Sequence, residues 1–281
     1  MLESLPWVLA SIGAVFGLLI GSFLNVVIYR LPVILDRQWV AEGLELAGQP
    51  VPQHQPFNLT LPRSRCPHCG HQIRWYENIP VLSYVALRGA CSRCKTGISL
   101  RYPLVEIATS ALFFMCTWQY GATPTTAVWC IYSATLVALA LIDWDTTLLP
   151  DNPNMPLLWL GLVAAAMKWT PVDLPSAVWG AVAGYMSLWL VNGTFKLIRG
   201  KDGMGHGDFK LLAALGVWFG WQALIPIILM ASVIGSIAGI TMKSTSGLRE
   251  GGYMPFGPFL AGAGFVALIV GPATLRHTIG L

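Results

Sequence analysis

The feature that most constrains this chain is a succession of apolar runs, each bounded by Pro, Gly or charge, repeated along most of its length. A hydrocarbon core roughly 30 Å thick takes about 20 apolar residues in helical form. Within lipid, backbone N–H and C=O groups must be satisfied inside the protein, which leaves helices or closed barrels. The runs are continuous rather than alternating, so they predict helices and argue against a barrel. Hydrophobic residues make up 55% of the 281 and charged residues 11%, a balance outside the range of ordinary soluble domains.

The runs place spans near residues 7–29, 103–121, 125–142, 154–168, 175–198, 209–221, 223–242 and 255–272. Residues 208–242 are either one bent helix or two short ones parted at Gly220-Trp221. The first run has no basic residue before it and no small-residue cleavage site after it, so it reads as a retained span rather than a signal peptide. The expected fold is an all-α membrane protein with about eight transmembrane helices and an extramembrane loop between the first two. The expected division is a first helix over 1–30, a loop domain over 31–101 and a seven-helix core over 102–281. From Leu31 through the Pro- and Gln-rich stretch 49–56 no helical or strand period is visible, and this half of the loop is expected to be irregular.

Lys and Arg accumulate in cytoplasmic loops. With the N-terminus outside, fifteen of the 17 basic residues, including Arg30, Arg37, Arg63, Arg65, Arg74, Arg93, Lys196, Lys210, Lys243 and Arg249, fall inside, leaving Lys168 and Arg276 outside. Fusing 208–242 into one span would move Lys243 and Arg249 outside, so the same rule favours eight spans. Anionic headgroups are the natural partners of such a basic face. No nucleic-acid signature accompanies the basicity.

Two CxxC pairs, Cys66-Pro67-His68-Cys69 and Cys91-Ser92-Arg93-Cys94, stand in the loop at zinc-ribbon spacing. Each CxxC turn offers two thiolates to one ion, and four close a tetrahedral structural site with no position open for catalysis. Two disulfides are the alternative, disfavoured by a reducing cytoplasmic location. His68 and His71 are rival ligands that four cysteines make unnecessary. Cys116 and Cys130 read as small apolar residues within spans.

Ionisable groups at membrane depth are functional candidates. Asp143 and Asp145 close the third span, Asp208 opens the sixth, and Glu106 sits a turn inside the second. By the charge rule, Asp143 and Asp208 share the cytoplasmic face. Two close carboxyls share a proton, so one can take a proton from water while the other polarises a carbonyl. The bland alternatives are an N-cap for Asp208, solvation for Asp145, a cap at Asp151 before Asn152-Pro153, and an ion pair of Glu106 with Arg101 or a neighbouring span.

Taken together, Gly21-Ser22-Phe23-Leu24-Asn25 through Arg30-Leu31-Pro32, the two CxxC pairs, Leu149-Pro150-Asp151 and Gly205-His206-Gly207-Asp208-Phe209-Lys210 resemble the type IV prepilin peptidases, GxGD-type membrane aspartyl proteases of pilus and type II secretion systems. The resemblance covers nearly the whole chain in order. It implies an inner-membrane enzyme that cuts the short basic leader of prepilins and pseudopilins after a glycine. It further implies N-methylation of the new terminus with S-adenosylmethionine, catalytic aspartates at Asp143 and Asp208, and a zinc site at Cys66, Cys69, Cys91 and Cys94. No Rossmann-type Gly-rich turn is present, so the sequence assigns no residue to the methyl donor. His206, between the two glycines, is expected to face solvent.

Two rival readings make opposite demands. A proton-coupled transporter would place its acids near the bilayer midplane rather than at one interface. A noncatalytic scaffold, with the cysteine loop as a docking module, would tolerate Asp143→Asn and Asp208→Asn but not loss of the metal.

Overall fold

The computed structural model describes residues 5–52, 55–244 and 254–271. Arg249 and Arg276, which enter the charge argument, lie outside them, as do Gln53 and His54. Among the described residues the chain is helical, with isolated antiparallel bridges at Arg65/Gln72 and Ala90/Gly97 in place of strands. It divides into two compact units, residues 1–122 and 123–281.

The first unit is built on α1 (Leu5–Leu46) and α3 (Arg101–Tyr120), with the short α2 (Leu82–Ala86) between them in sequence. Gly13, Gly17 and Gly21 recur every fourth residue along α1, and α3 lies against them so closely that a Cβ on Gly21 would stand 2.7 Å from the Glu106 Cα. Small residues at this spacing let two backbones approach in a membrane, where close packing rather than apolar burial holds helices together. Ser110 Oγ donates to the Ala14 carbonyl and Asn25 Nδ2 to that of Tyr102, pinning the pair at two levels.

α1 corrects the expectation of an irregular stretch after residue 30. It runs to Leu46 through Pro32, 42 residues in all, or about 63 Å at 1.5 Å per residue, twice the core of a bilayer. Proline removes one ladder bond, but the Leu-, Glu- and Ala-containing stretch that follows favours helix. The expected boundary at 30/31 therefore falls inside a helix, and that at 101/102 falls at the start of α3, which belongs to the first unit. Buried Arg30 donates to the carbonyls of Asn58 (2.9 Å) and Pro62 (2.6 Å), and the Phe57 ring lies under both Arg30 and Arg37, docking the 57–62 turn onto α1.

The second unit comprises α4 (Pro124–Thr146), α5 (Asp151–Ala166), α6 (Leu174–Arg199), α7 (His206–Phe219), α8 (Leu224–Ser244) and α9 (Gly257–Val270). The ambiguous run resolves into two helices. Gly220, at φ 82°, ends α7, and a 3₁₀ turn at Trp221–Ala223 leads into α8. α7 is the centre of the unit, buried along its length and contacting α5, α6 and α9. Its C-terminal Trp218 and Phe219 pack with Trp129 and Tyr132 of α4, and Trp218 Nε1 donates to the Leu157 carbonyl of α5. Gly180 of α6 and Gly216 of α7 meet backbone to backbone.

Among the described residues, four helical segments are long and apolar enough to cross a bilayer: Leu5–Leu46, Pro124–Thr146, Leu174–Arg199 and Trp221–Ser244.

Candidate active site and cysteine centre

Asp143 lies in the last turn of α4 and Asp208 in the first turn of α7, both buried (4% and 8% exposed) within the second unit. α4 ends because Thr147 adopts a left-handed conformation (φ 56°), and the chain turns through Leu149-Pro150 into α5. Leu149 is the common wall of the site. A Cβ on Gly207 would come within 2.6 Å of the Leu149 Cβ, and one on Gly257 within 3.1 Å of its Cδ1 and 2.6 Å of Asp143 Oδ2. Gly207 at the start of α7 and Gly257 at the start of α9 can thus approach this closely only as glycines. The two carboxyls lie within electrostatic reach of each other.

The carboxyls differ in their partners. Asp143 Oδ2 accepts the Gly257 N–H at 2.8 Å, which fixes the orientation of its carboxyl. Asp208 Oδ1 is buried without a protein partner. Asp208 is not the helix cap, because the N-cap is Gly205 and Asp208 stands three residues on. A buried carboxyl oxygen lacking a donor is costly to keep and is available to a ligand or water.

The loop before Asp208 is held by residues that the sequence did not single out. Buried Asn192 of α6 accepts the N–H groups of Gly203 (2.8 Å) and Met204 (3.2 Å) through Oδ1 and donates to Asp202 through Nδ2. Lys196 pairs with the same aspartate at 3.1 Å, and Lys196 and Asn192 together keep the Asp202 carboxyl below the usual carboxylate range. The available signal was an amide inside an apolar run. Lys210 donates to both oxygens of Asp151, at 2.8 and 2.7 Å, tying the first turns of α5 and α7 together. Asp151 is therefore an ion-pair partner rather than a cap, since α5 is capped by Pro150. Asp145 is exposed, as is His206, whose ring lies 5.3 Å from Phe209.

In the first unit, the sulfur atoms of Cys66, Cys69, Cys91 and Cys94 all lie within 4.8 Å of one another. Cys66 and Cys94 are 3.7 Å apart and Cys69 and Cys91 4.0 Å. A tetrahedral ion with Zn–S bonds of 2.3 Å requires edges of about 3.8 Å, close to the two measured here, so the donor set and spacing of the four thiols suit such an ion. Each knuckle folds alike. The Cys66 carbonyl accepts the Gly70 N–H and the Cys91 carbonyl that of Lys95, while Gly70 (φ 68°) and Lys95 (φ 61°) turn left-handed to close the loops. Glu77 links the knuckles. The Arg74 N–H, the Ser92 hydroxyl and His71 hold its carboxyl down to about 2. His71 is thus engaged with Glu77, at 3.1 Å, rather than with the cysteines.

Glu106 meets a backbone instead of Arg101. It accepts the Val81 N–H at 2.8 Å and the Ser22 hydroxyl of α1. Val81 itself holds φ 58°, a conformation β-branched residues avoid.

Comparison with known proteins identifies the family. Residues 15–120 match the bacterial peptidase A24 N-terminal domain, and residues 130–240 match the type IV leader peptidase family. A prepilin leader peptidase/N-methyltransferase of Pseudomonas putida is 51% identical over 267 residues, covering 95% of this chain and 92% of the relative. One of the same name from Pseudomonas aeruginosa is 49% identical (97% and 93% covered), and one from Aeromonas hydrophila 46% (98% and 95%). No solved structure matches the chain. With both halves matched and half of all aligned residues identical over nearly its full length, the chain belongs to the type IV leader peptidase family.

Proposed function

We propose that this membrane protein cleaves the leader peptide of prepilins with Asp143 and Asp208 and then N-methylates the newly exposed terminus, acting on pseudopilins in the same way. The carrying observation is that two buried carboxyls, from opposite ends of α4 and α7, lie within electrostatic reach of each other beside Gly207 and Gly257, two glycines with no room for a Cβ. In the working pair, one carboxylate takes a proton from water as the oxygen adds to the scissile carbonyl, and the other, protonated, donates to that carbonyl oxygen. The C–N bond then breaks with its electron pair on nitrogen, which is protonated and leaves as the mature N-terminus. The Gly257 N–H orients Asp143, and the unpartnered Asp208 Oδ1 is the group open to water or substrate.

The topology we assign is eight spans in the inner membrane with the N-terminus in the periplasm, so that the aspartates and the cysteine unit face the cytoplasm and its anionic lipids. The distribution of basic residues supports it. α7, sheathed by its neighbours, needs no lipid-length run of its own. This depth suits a substrate whose apolar helix lies in the membrane and whose basic leader reaches the inner surface. Proton-coupled transport and noncatalytic scaffolding are not favoured by the family's peptidase relatives.

Asn192 is a positioning residue in this scheme. Asn192→Ala frees the Gly203 and Met204 N–H groups and lets the 202–205 turn move, so kcat for leader cleavage is expected to fall on the order of 10- to 100-fold with KM little changed. Cleavage kinetics with a synthetic prepilin check it, and a matched rise in KM would instead assign Asn192 to substrate binding.

Methylation consumes S-adenosylmethionine. Bound, it would supply a sulfonium-activated methyl group to the free amine of the trimmed pilin. The cysteine centre is assigned Zn²⁺ as a structural ion that staples the loop between α1 and α3, where, among the described residues, Cys66 and Cys91 are the buried hydrophobic ones. Cys66→Ser with Cys91→Ser is expected to release one zinc per chain and to abolish methylation while most cleavage survives. Metal content by mass spectrometry, together with product mass, tests it; unimpaired methylation without zinc would remove the link.

A further inference from the structure

Beside the cysteine centre the first unit holds a cavity of about 630 Å³, within the range of small-molecule sites. Its wall carries both signs of charge. Glu77 contributes a carboxylate whose side chain is only 10% exposed, fixed by His71 and the Arg74 N–H, and Arg74 and Arg93 contribute guanidinium groups. Tyr76, Ala86 and Leu87 add apolar surface. Prepilin cleavage uses none of these residues, and the zinc geometry needs only the four thiols.

The frame around the cavity is strained in a way that packing alone does not require. α2, which supplies Ala86 to the wall, is entered through Val81 at φ 58° and followed by Arg88 at φ 53°. Non-glycine residues in such conformations cost roughly 1–3 kcal/mol each and persist where surrounding contacts over-determine them, often at ligand clamps. Here the clamp is Glu106, a buried carboxyl spent on the Val81 N–H and the Ser22 hydroxyl. The second knuckle lends Ser92 and Arg93 to the same wall, so the ion that fixes the cysteines would also fix the cavity.

We infer that this cavity is the methyl-donor site, taking S-adenosylmethionine through the Arg74 and Arg93 guanidiniums at its carboxylate, Glu77 at its hydroxyl or ammonium groups, and the Tyr76–Ala86–Leu87 surface at its adenine. The inference rests on the methyltransferase reading and supplies the site that the absence of a Gly-rich nucleotide turn left open. Paired charge of both signs with an apolar shelf matches a zwitterionic amino acid joined to a nucleoside, whereas a basic leader peptide would meet two arginines.

The test uses the full-length zinc-loaded chain in detergent. Radiolabelled S-adenosylmethionine is crosslinked by ultraviolet light and the labelled peptide identified, and binding of S-adenosylhomocysteine is measured for wild type, Arg93→Ala and Ala86→Trp. Arg93 and Ala86 are exposed side chains that ligate no metal, so retained zinc and leader cleavage report an intact fold. The expected result is label within residues 71–93 and affinity at least about tenfold weaker in both variants. Label in the second unit, or affinities within twofold of wild type, overturns the site while leaving the two activities standing. A wild type that cleaves yet neither binds the donor nor methylates would overturn the methyltransferase reading itself.

Discussion

Asp208→Asn is expected to lower prepilin cleavage by at least ~10²–10⁴-fold, the usual worth of a positioned acid–base group, while the chain remains folded and still methylates a pilin supplied already trimmed. Asparagine keeps the size of the carboxyl at a buried position beside Gly207, which packs on Leu149, so packing is preserved. It cannot exchange a proton with its neighbour. Asp143→Asn should fail equally: an amide oxygen still accepts the Gly257 N–H, but the exchangeable proton is gone. With the carboxyls working as the proposed pair, the double variant should be no worse than either single one. Leader loss and product mass, with and without S-adenosylmethionine, give the answer. Normal cleavage by either variant would make that aspartate structural and move the chemistry elsewhere.

Gly216→Val is expected to be the most damaging substitution outside the two centres. A Cβ on Gly216 would stand 2.1 Å from the Gly180 carbonyl oxygen, and one on Gly180 2.0 Å from that of Gly216. Neither obstacle is a side chain that could rotate away. Overpacking usually costs about 1–3 kcal/mol where side chains can shift; here α6 and α7 would have to separate along their length, pulling Leu212 from Gly184 as well. Loss of α6–α7 contact also removes Asn192 from the 202–205 turn, so folding and cleavage should fall together. Thermal unfolding in detergent, followed by circular dichroism, checks it. A melting temperature within a few degrees of wild type would mean that the two helices part more easily than their contact implies.

The helices of this protein were legible because an apolar run of lipid length leaves the backbone few alternatives. α4, α6 and α9 begin and end within a few residues of the expected spans. What escaped was structure with no apolar period to announce it. The second half of α1 scatters charged residues among its apolar ones and is largely exposed from Asp36 onward, and its proline mimics a boundary. The cysteine spacing announced its own centre, since two CxxC turns can do little else together. Asn192 and Glu77 did not stand out, because an amide in an apolar run and an acid in a loop have many harmless homes. Glu106 was visible as costly, but its partner proved to be a backbone N–H far along the chain, which no pairing of charges could suggest.

The donor that steadies Asp143 is likewise main chain, the N–H of Gly257. Alanine scanning would leave that group in place at every position and report residue 257 only as a site of steric intolerance. Mutational maps built from side-chain truncation will therefore register the two proposed catalytic aspartates and overlook the amide that holds one of them, a group reached only by proline or by replacing the amide with an ester.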